Sequence, residues 1–394
     1  MRFPPFRARA MAMANSAMRA LPESAVFRLL RARGADVRVP APVDVADAPV
    51  RLLVAPANYA GQGRAWAESA RRIGRVEAVN LEVSLPGRFS FPADFHLSEH
   101  VYVWSRRWAS AHEEAVADRF SHVLIEAERS FLGRTLHFDV RREGEWLDRH
   151  GVARAYVSHG SDLRLPSRHA ELDPWSPFRD PEWELIPALE EAARRNAAFL
   201  AEQGRPVFVS TPELLLDSPG AAWLPVVVDP SRWVAPEAPL STSRPVVFHA
   251  PTSARSKGSL LITPTLEDLD AEGVISYRPA AGIPSDRMPA LVAQADIVLD
   301  QFRVGSYGVS ACEAMAAGRV VIGHVSAQVR EAAADAAGIP LPIVEADPDS
   351  LSEVLRDIVA APERYGAIAG TGPDFVARIH DGGYSGLVLS SFLV

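Results

Sequence analysis

The stretch of residues 296–323, DIVLDQFRVGSYGVSACEAMAAGRVVIG, decides the fold. It begins with a short apolar strand that ends at Asp300, and a loop with two glycines follows. A helix is expected to begin near Val309 and to end at Gly318, because glycine readily adopts the backbone conformation that closes a helix. A second apolar run comes directly after it. Strand, loop, helix and strand in this order predict one unit of a parallel sheet covered by helices.

The same alternation of strands and helices runs through the chain. Strands are predicted at Arg51–Ala55, Val76–Val83, His122–Ile125, Ala155–Ser158, Val207–Ser210, Leu224–Val228, Val246–His249, Ile275–Arg278, Ile297–Asp300, Val320–His324 and Pro342–Glu345. Helices are predicted at Arg64–Ile73, Arg141–Arg149, Glu182–Glu202, Leu266–Glu272, Ser310–Ala317 and Ser350–Val359. The strands are apolar almost throughout, which is typical of parallel sheets buried on both faces.

Eleven predicted strands are unusually many for one sheet, so the sequence predicts two doubly wound α/β domains in tandem. The segment Asp229–Arg244 is rich in Pro and Ser, lacks periodicity and is expected to link them. We expect a first domain over residues 1–240, with an N-terminal extension over 1–49, and a second domain over 241–375. A terminal helix is expected over 376–394.

The composition limits the class of protein. The chain has 394 residues, of which 48% are hydrophobic and 23% charged, as in ordinary globular proteins. A single Cys leaves no disulfide framework or multi-cysteine zinc site and fits a reducing cytoplasm. The net charge of −8 argues against a dedicated nucleic-acid binder. No apolar run approaches the roughly 20 residues that span a bilayer.

Basic residues are concentrated near the N-terminus, where Met1–Gly34 contains seven Arg and one Glu. One interpretation is a later start of the protein, at Met11, Met13 or Met18. Another is a basic amphipathic segment in peripheral contact with anionic lipid at the inner membrane. The third, which we favour, is an ordinary surface helix over about Glu23–Arg33.

Lys257 is the only lysine, since the other 40 of the 41 basic residues are Arg. It lies in PTSARSKGS (251–259), just beyond the predicted strand Val246–His249. A position that keeps Lys in such an Arg-rich chain is a candidate for needing a compact point charge. The alternative is a chance surface cation.

The loop before the helix near Val309 has the pattern of a phosphate site. Gly305 and Gly308 allow backbone N–H groups to be exposed at the start of a helix, which favours an anion. Lys257 on the neighbouring loop adds a cation for a diphosphate. Glu313, in the early turns of the helix, can accept hydrogen bonds from ribose hydroxyls. Alternatively, the glycines serve only close packing and Glu313 is a solvated carboxylate.

The segment GSYGVSACEAMAAGRVVI (305–322) resembles the donor-site motif of family 4 (group 1) glycosyltransferases, and DQFRVGSYG (300–308) resembles that of one bacterial branch. The pair Lys257–Gly258 is similar to the family's "KG" pair. The resemblance implies a GT-B fold, in which two Rossmann-like domains face each other across a cleft, with the nucleotide sugar bound by the second domain and the acceptor by the first. It also implies that the terminal helix returns toward the first domain. Expected donor-binding residues are Arg255, Gly258, Gly305, Ser306, Tyr307, Gly308, Val309 and Glu313.

Two positions depart from the family pattern. The family usually has a Glu where this chain has Gly305, and an Arg where it has Thr252. Arg255 lies close enough in sequence to substitute for the missing Arg. These departures bear on the geometry of the donor sugar more than on nucleotide binding.

The first half of the chain contains a second glycine loop, PANYAGQGR (56–64). Its spacing is too short for a dinucleotide fingerprint. It resembles the loop that lines the cleft in these transferases, so Tyr59, Gly61 and Gly63 are candidates for acceptor binding. The alternative is that the glycines allow tight packing.

The segment HGSDLR (159–164) follows a strand and places a titratable His159 at the strand end. The resemblance implies that His159 lies near the transferred sugar. Asp162 and Arg164 could bind acceptor hydroxyls or pair with each other. Glu126 and Glu128 are weaker candidates of the same kind.

The resemblance implies a retaining glycosyltransferase that uses a nucleotide-diphosphate sugar and requires no metal. The resemblance implies that Lys257 stabilises the leaving nucleotide, with His159 and Glu313 as the other catalytic candidates. The acceptor could be a glycan, a glycolipid or a small molecule, and work on bacterial cell-surface polysaccharide in the cytoplasm is expected of the family. The alternatives are an inactive nucleotide-sugar binding protein and a nucleotide-sugar epimerase.

Overall fold

The computed structural model describes Met18 and residues 21–84, 91–251, 253–280 and 282–394. It contains two parallel sheets, one of seven strands and one of five. The first sheet consists of β1 (Val50–Ala55), β2 (Val76–Ser84), β3 (Phe95–Ser98), β4 (His122–Glu126), β5 (Ala153–Ser158), β6 (Val207–Val209) and β7 (Ala222–Trp223). The second consists of β8 (Val246–His249), β9 (Ser276–Pro279), β10 (Ile297–Leu299), β11 (Val320–Gly323) and β12 (Ile343–Glu345).

Helices connect the strands. Those associated with the first sheet are Glu23–Ala32, Gln62–Arg71, Glu99–Trp104, Arg106–Arg119, Val140–Arg149, Pro166–Leu172 and Ile186–Gln203. Those that follow are Ala254–Lys257, Ser259–Ala271, Met288–Ala293, Val309–Ala316, Ala327–Ala337, Leu351–Ala360, Pro362–Gly370, Gly372–Ile379 and Gly383–Leu393. Short 3-10 helices lie at Tyr59–Gly61, Gly133–Leu136, Pro177–Arg179, Pro212–Leu216 and Pro230–Arg232.

The order of the strands creates one switch point in each sheet. The first sheet has the order β3-β2-β1-β4-β5-β6-β7, so the direction of winding reverses between β1 and β4. The second has the order β12-β11-β10-β8-β9 and reverses between β8 and β10. Loops diverge to opposite faces at such a point and leave a crevice at the carboxyl ends of the strands, where ligands bind. The two α/β sheets confirm the predicted fold class.

The sheets are buried because their strands carry apolar side chains on both faces. Leu52 and Leu53 of β1 are both fully buried, each in a different core cluster. The last helix, Gly383–Leu393, adds Leu389 and Leu393 to the core on the Leu52 side. The C-terminal end of the chain therefore packs on the first sheet, although the preceding strands belong to the second.

The predicted strand Leu224–Val228 is wrong, since only Ala222–Trp223 pairs with the sheet. Leu224 still donates to the Val209 carbonyl of β6 at 2.9 Å, but the next residues leave the sheet. Trp66 Nε1 donates to the Pro225 carbonyl at 2.9 Å, and the Gln62 amide bonds both the N–H and the carbonyl of Val227. Beyond Leu224, apolar residues whose backbone bonds largely to side chains thus form the crossing between the two domains.

Other boundaries also differ from those predicted. The edge strand Phe95–Ser98 was not anticipated, because it is short and half polar. The helix Ser259–Ala271 begins seven residues before the predicted Leu266, since it tolerates Pro264 in its interior. Near the N-terminus, the helix Glu23–Ala32 buries Val26 and Leu30 with Trp104, as expected for an ordinary surface helix. Met11, Met13 and Thr252 lie outside the described residues.

Candidate functional site

Two cavities lie between the domains. The first, of about 520 Å³, is called the His159 cavity; its lining includes His159, Arg164, Glu213, Lys257, Ser306 and Gly308. The second, of about 600 Å³, is called the Glu313 cavity; its lining includes Gly61, Arg64, Asp229, Arg232, Val309 and Glu313. Gly308 and Val309 are neighbours, so the two cavities flank the start of the helix Val309–Ala316. A third cavity of about 680 Å³, on the first domain, shares no lining residue with either.

Lys257 lies at the switch point of the second sheet, at the end of the short helix after β8. Its Nζ donates to Asp300 Oδ1 at 2.8 Å and to Ser310 Oγ at 3.2 Å. Asp300 directly follows β10, the strand on the other side of the switch point. Its carboxylate also accepts from Ser310 Oγ at 2.6 Å and from the Gly308 N–H at 3.0 Å. One carboxylate thus gathers the ammonium, a hydroxyl and a backbone amide at the start of a helix.

Asp300 is ionised despite its burial. Only 2% of its surface is exposed. Burial alone would raise its pKa, but the Lys257 ammonium and the hydrogen bonds from Ser310 and Gly308 hold the pKa below its usual value. The side chain of Lys257 is 22% exposed and faces the His159 cavity. A ligand anion can therefore reach the ammonium from the cleft.

Gln301 shapes the loop between β10 and the helix. Its Oε1 accepts from the N–H groups of Arg303 and Val304 at 3.1 and 2.7 Å. Its Nε2 donates to the carbonyl of His324 at 3.1 Å and to that of Ser306. The Asp-Gln pair therefore has two separate tasks, since Asp300 binds Lys257 and Gln301 holds the loop.

Glu313 opens into the other cavity. Burial raises its pKa to about 8, against the opposing influence of the positive charges of Lys257 and Arg232. Glu313 is therefore mostly a neutral carboxylic acid at pH 7, able both to donate and to accept a hydrogen bond. Val309, the first residue of the same helix, lines this cavity as well.

His159 lies at the end of β5 among aromatic rings. Its ring centroid is 5.0 Å from that of Tyr59 and 5.3 Å from that of Trp66. Its Nε2 is 3.3 Å from Glu126 Oε1, although the two atoms form no aligned hydrogen bond. Glu126 is fully buried and accepts from the Ala57 N–H at 2.9 Å. The two residues meet where the first sheet has its switch point.

The glycine loop leaves room for the carboxylate of Glu126. A Cβ at Gly63 would lie 2.9 Å from Glu126 Oε2, so the glycine allows the carboxylate to approach the backbone. Gly63 does not line either cavity. Gly61 has a φ of +76° and lines the Glu313 cavity, whereas Tyr59 packs on His159. The three candidates of this loop thus occupy three different environments.

Asp162 and Arg164 do not pair with each other. Asp162 accepts from the backbone N–H groups of His159 at 2.8 Å and Gly160 at 2.5 Å, so it holds the turn after β5. Arg164 lines the His159 cavity and forms an ion pair with the buried Glu213. Acceptor binding by Arg164 stays a prediction that its position allows.

Four buried polar atoms along the His159 cavity lack a hydrogen-bond partner. They are His159 Nε2, Arg164 Nε, Glu213 Oε2 and Ser306 Oγ. Buried polar atoms in folded proteins are nearly always paired, because an unpaired one costs roughly 1–3 kcal/mol. The four residues also line the cavity and give it a polar side, which favours a ligand with hydroxyl groups.

The remaining predicted donor residues hold the loop in place. Arg255 pairs with Asp180 of the first domain and does not line either cavity. Gly258 has a φ of +83° between two helices. Tyr307 lines the His159 cavity, but its hydroxyl bonds to His380 Nε2 at 3.1 Å.

Gly305 explains one departure from the family pattern. Its φ is +67°, and a Cβ there would lie 3.2 Å from Asp173 Oδ2. A Glu at this position would therefore be strained and would crowd Asp173, which lies 3.3 Å from His324. Any side chain at this position would require Asp173 to shift by a few tenths of an ångström.

The sequence analysis did not name Asp300, Gln301, Ser310 or Glu213 as candidate residues and gave Glu126 only as a weaker one. The available signal was position, since Asp300 and Glu126 stand at the carboxyl ends of the two strands that border the switch points. Among the described residues, no group of three or more metal-ligating side chains occurs.

Solved structures resemble this chain at low sequence identity. Sucrose-phosphate synthase from Thermosynechococcus elongatus is 12% identical, with a TM-score of 0.52 over 86% of this chain and 97% of that one. HepE from Anabaena, solved in complex with UDP, is 10% identical, with a TM-score of 0.53 over 87% and 98%. A glycosyltransferase from Rickettsia africae is 11% identical, with a TM-score of 0.53 over 88% and 98%. Neither a family model nor a curated protein sequence matches the chain.

These neighbours are GT-B glycosyltransferases, and two parallel, doubly wound domains on either side of a cleft define the same fold here. The chain therefore has the GT-B fold, as the resemblance of its donor motif implied. Membership of family 4 stays a prediction.

Proposed function

We propose that this chain is a glycosyltransferase that moves a sugar from a nucleoside-diphosphate donor to a hydroxyl group, with retention at the anomeric carbon. The observation that carries the proposal is the cluster of Lys257, Asp300, Ser310 and the Gly308 N–H at a switch point between two cavities. The partly exposed Lys257 ammonium and the partial positive charge at the start of a helix suit a diphosphate, although Asp300 already occupies the Gly308 N–H. Retention rests on the resemblance of the motif to family 4.

The cavities suggest where the parts of the donor bind. The nucleoside would enter the Glu313 cavity, with its ribose hydroxyls at Glu313. The diphosphate would lie at Lys257 and Gly308, at the boundary between the cavities. The sugar and the acceptor would share the His159 cavity, whose polar lining residues suit hydroxyl groups.

In the proposed reaction, the bond between the anomeric carbon and the diphosphate oxygen breaks, and its electron pair leaves with the diphosphate. Lys257 stabilises the negative charge that develops there. The acceptor oxygen forms the new bond on the same face, and its proton passes to an oxygen of the leaving diphosphate. His159, which lies beside Glu126, would position a hydroxyl group of the sugar. It would not act as a nucleophile at the anomeric carbon.

The proposal includes no metal, because Lys257 and the helix start supply the positive charge at the diphosphate. Work in the cytoplasm, peripheral contact with a membrane and a role in cell-surface polysaccharide synthesis stay predictions. In the described part of the chain, no helix is both long and apolar enough to cross a bilayer.

The first experiment is a calorimetric binding panel of UDP, GDP, ADP and dTDP. It uses wild type, Lys257→Met and the matched control Arg255→Met, which removes a positive charge two residues away that pairs with Asp180. We expect one nucleotide to bind wild type and Arg255→Met with dissociation constants within about threefold of each other. The same nucleotide should bind Lys257→Met at least tenfold more weakly. If none of the four binds wild type, the proposal is wrong.

Turnover separates the remaining functions. The enzyme is given nucleotide sugars that contain the nucleotide selected by the panel, together with a collection of acceptors. Release of the nucleoside diphosphate and formation of the glycoside are measured. Binding without any turnover would identify an inactive binding protein. A changed nucleotide sugar in the absence of acceptor would identify an epimerase.

A further inference from the structure

One wall of the His159 cavity differs in chemistry from the rest. It is formed by the stretch 177–189 of the first domain, through Pro177, Phe178, Trp183, Leu185 and Leu189. All five are apolar. The acidic residues of the same stretch, Asp180, Glu182 and Glu184, do not line the cavity. We call this surface the apolar wall.

The apolar wall presents large side chains to the cavity. The rings of Phe178 and Trp183 stack with their planes 5° apart and their centroids separated by 5.5 Å. Leu185 remains 59% exposed although it lines a cavity. A rigid aromatic pair beside an exposed aliphatic side chain is typical of a surface that contacts an apolar ligand.

The segment preceding the apolar wall is fixed by contacts to the other domain. Arg303, in the loop after β10, donates to the carbonyls of Trp175 and Ser176, both at 2.9 Å. His169 Nε2 bonds to the Val304 carbonyl at 3.0 Å. The surface is therefore held against the donor loop before any ligand binds, which lowers the entropy cost of binding.

The remainder of the cavity is polar. The polar residues His159, Arg164, Glu213 and Ser306 lie in the segments that follow β5, β6 and β10, not in the apolar wall. A ligand that fills the whole cavity must therefore be polar on one side and apolar on the other. A sugar ring could lay only its C–H face on one aromatic side chain, and the hydroxyls of a sugar chain along the rest of the apolar wall would lose water without gaining hydrogen bonds.

We propose that the acceptor is a small molecule with an aromatic or aliphatic ring body next to its reactive hydroxyl, such as a phenol or a hydroxylated polycycle. This inference rests on the proposed function, because it assigns the polar side of the cavity to the donor sugar. The apolar wall holds the ring body, and the hydroxyl points toward the donor at Lys257.

The test is calorimetric titration with 2-naphthol as the apolar probe and methyl β-D-glucopyranoside as the polar one, with and without the nucleotide selected by the panel. We expect 2-naphthol to bind at least tenfold more tightly than the glucoside. Leu185→Asp should weaken 2-naphthol binding about tenfold. Leu172→Asp is the matched control, since Leu172, at the end of the helix Pro166–Leu172, is 62% exposed but does not line the His159 cavity.

The outcomes separate this proposal from the proposed function. Tighter binding of the glucoside, or equal binding of 2-naphthol by wild type and Leu185→Asp, would overturn the assignment of an apolar acceptor. A loss of binding in Leu172→Asp equal to that in Leu185→Asp would overturn it as well. If nucleotide binds but 2-naphthol does not, only this inference fails. If no nucleotide binds, the proposed function fails.

Discussion

Replacing Lys257 by Met should destabilise the protein through Asp300, which would remain buried without its counterion. Removing one partner of a buried ion pair typically costs about 3–5 kcal/mol. Asp300 keeps its bonds from Ser310 at 2.6 Å and from Gly308 at 3.0 Å, so we expect the lower end of this range, about 3 kcal/mol.

The partner variants make this expectation specific. Asp300→Asn should cost about 1 kcal/mol, because Lys257 is 22% exposed and its ammonium can still reach water. The double variant leaves no buried charge and should also cost about 1 kcal/mol. The combined loss is then about 3 kcal/mol smaller than the sum of the two single losses, which is a large coupling for a double-mutant cycle.

The measurement is the free energy of unfolding in guanidinium chloride for the four proteins of the cycle, with Arg255→Met as control. Asp180, the partner of Arg255, is 21% exposed, so that control should lose at most about 1 kcal/mol. Equal stability of Lys257→Met and wild type, or of Lys257→Met and the double variant, would refute the reasoning. Nucleotide binding should be lost in the double variant even though its stability recovers.

Four further outcomes are expected. Burial raises the pKa of Glu313 to about 8, and in the proposed arrangement an ionised Glu313 at the ribose would repel the diphosphate that the ribose carries. Nucleotide affinity measured by calorimetry should therefore fall up to about tenfold as the pH rises through 8 in wild type but not in Glu313→Gln. Hydrogen bonds to Asp173 and Glu345 raise the pKa of His324 from 6.5 to about 9. The stabilisation that results, up to about 3 kcal/mol, is complete below pH 6.5 and is lost as the pH rises through 9. The difference in unfolding free energy between wild type and His324→Gln should therefore shrink over this range. Gly63→Ala should destabilise the protein by about 1–3 kcal/mol in the same unfolding assay, since its Cβ would lie 2.9 Å from a carboxylate oxygen, whereas a variant as stable as wild type would show that the loop can move aside. Nucleotide release during transfer should be unchanged by EDTA, because Lys257 neutralises the diphosphate, and full inhibition that is reversed by Mg²⁺ would contradict this expectation.

The two-sheet architecture could be predicted from the sequence because parallel strands buried on both faces are continuous apolar runs. Val246–His249 was predicted with the bounds that the structure shows, and Ile297–Leu299 within one residue. Leu224–Val228 has the same apolar character and is not a strand, because the side chains of Gln62 and Trp66 satisfy its backbone. The amino-acid composition of a segment does not show which groups will form hydrogen bonds with its backbone N–H and C=O groups.

Parts of the candidate site could also be predicted from the sequence. Lys257, Glu313 and the glycines of the loop stand out by residue type and by position after a strand. The ion pair between Lys257 and Asp300 could not be predicted from the sequence, because the two residues are 43 positions apart and come into contact only when β8 and β10 lie next to each other. For the same reason, Arg164 could not be assigned to Glu213, which is 49 residues away.

The sequence alone thus determined most of the strands, the helix after the glycine loop and the residue types available for binding an anion, because these depend on local periodicity and on backbone chemistry. The tertiary structure decided which charges neutralise each other, which carboxylate the first glycine loop holds, and how the cleft is divided into a polar side and an apolar wall. These properties depend on the order of strands in a sheet and on the contact between two domains, and neither is encoded in any short stretch of the chain.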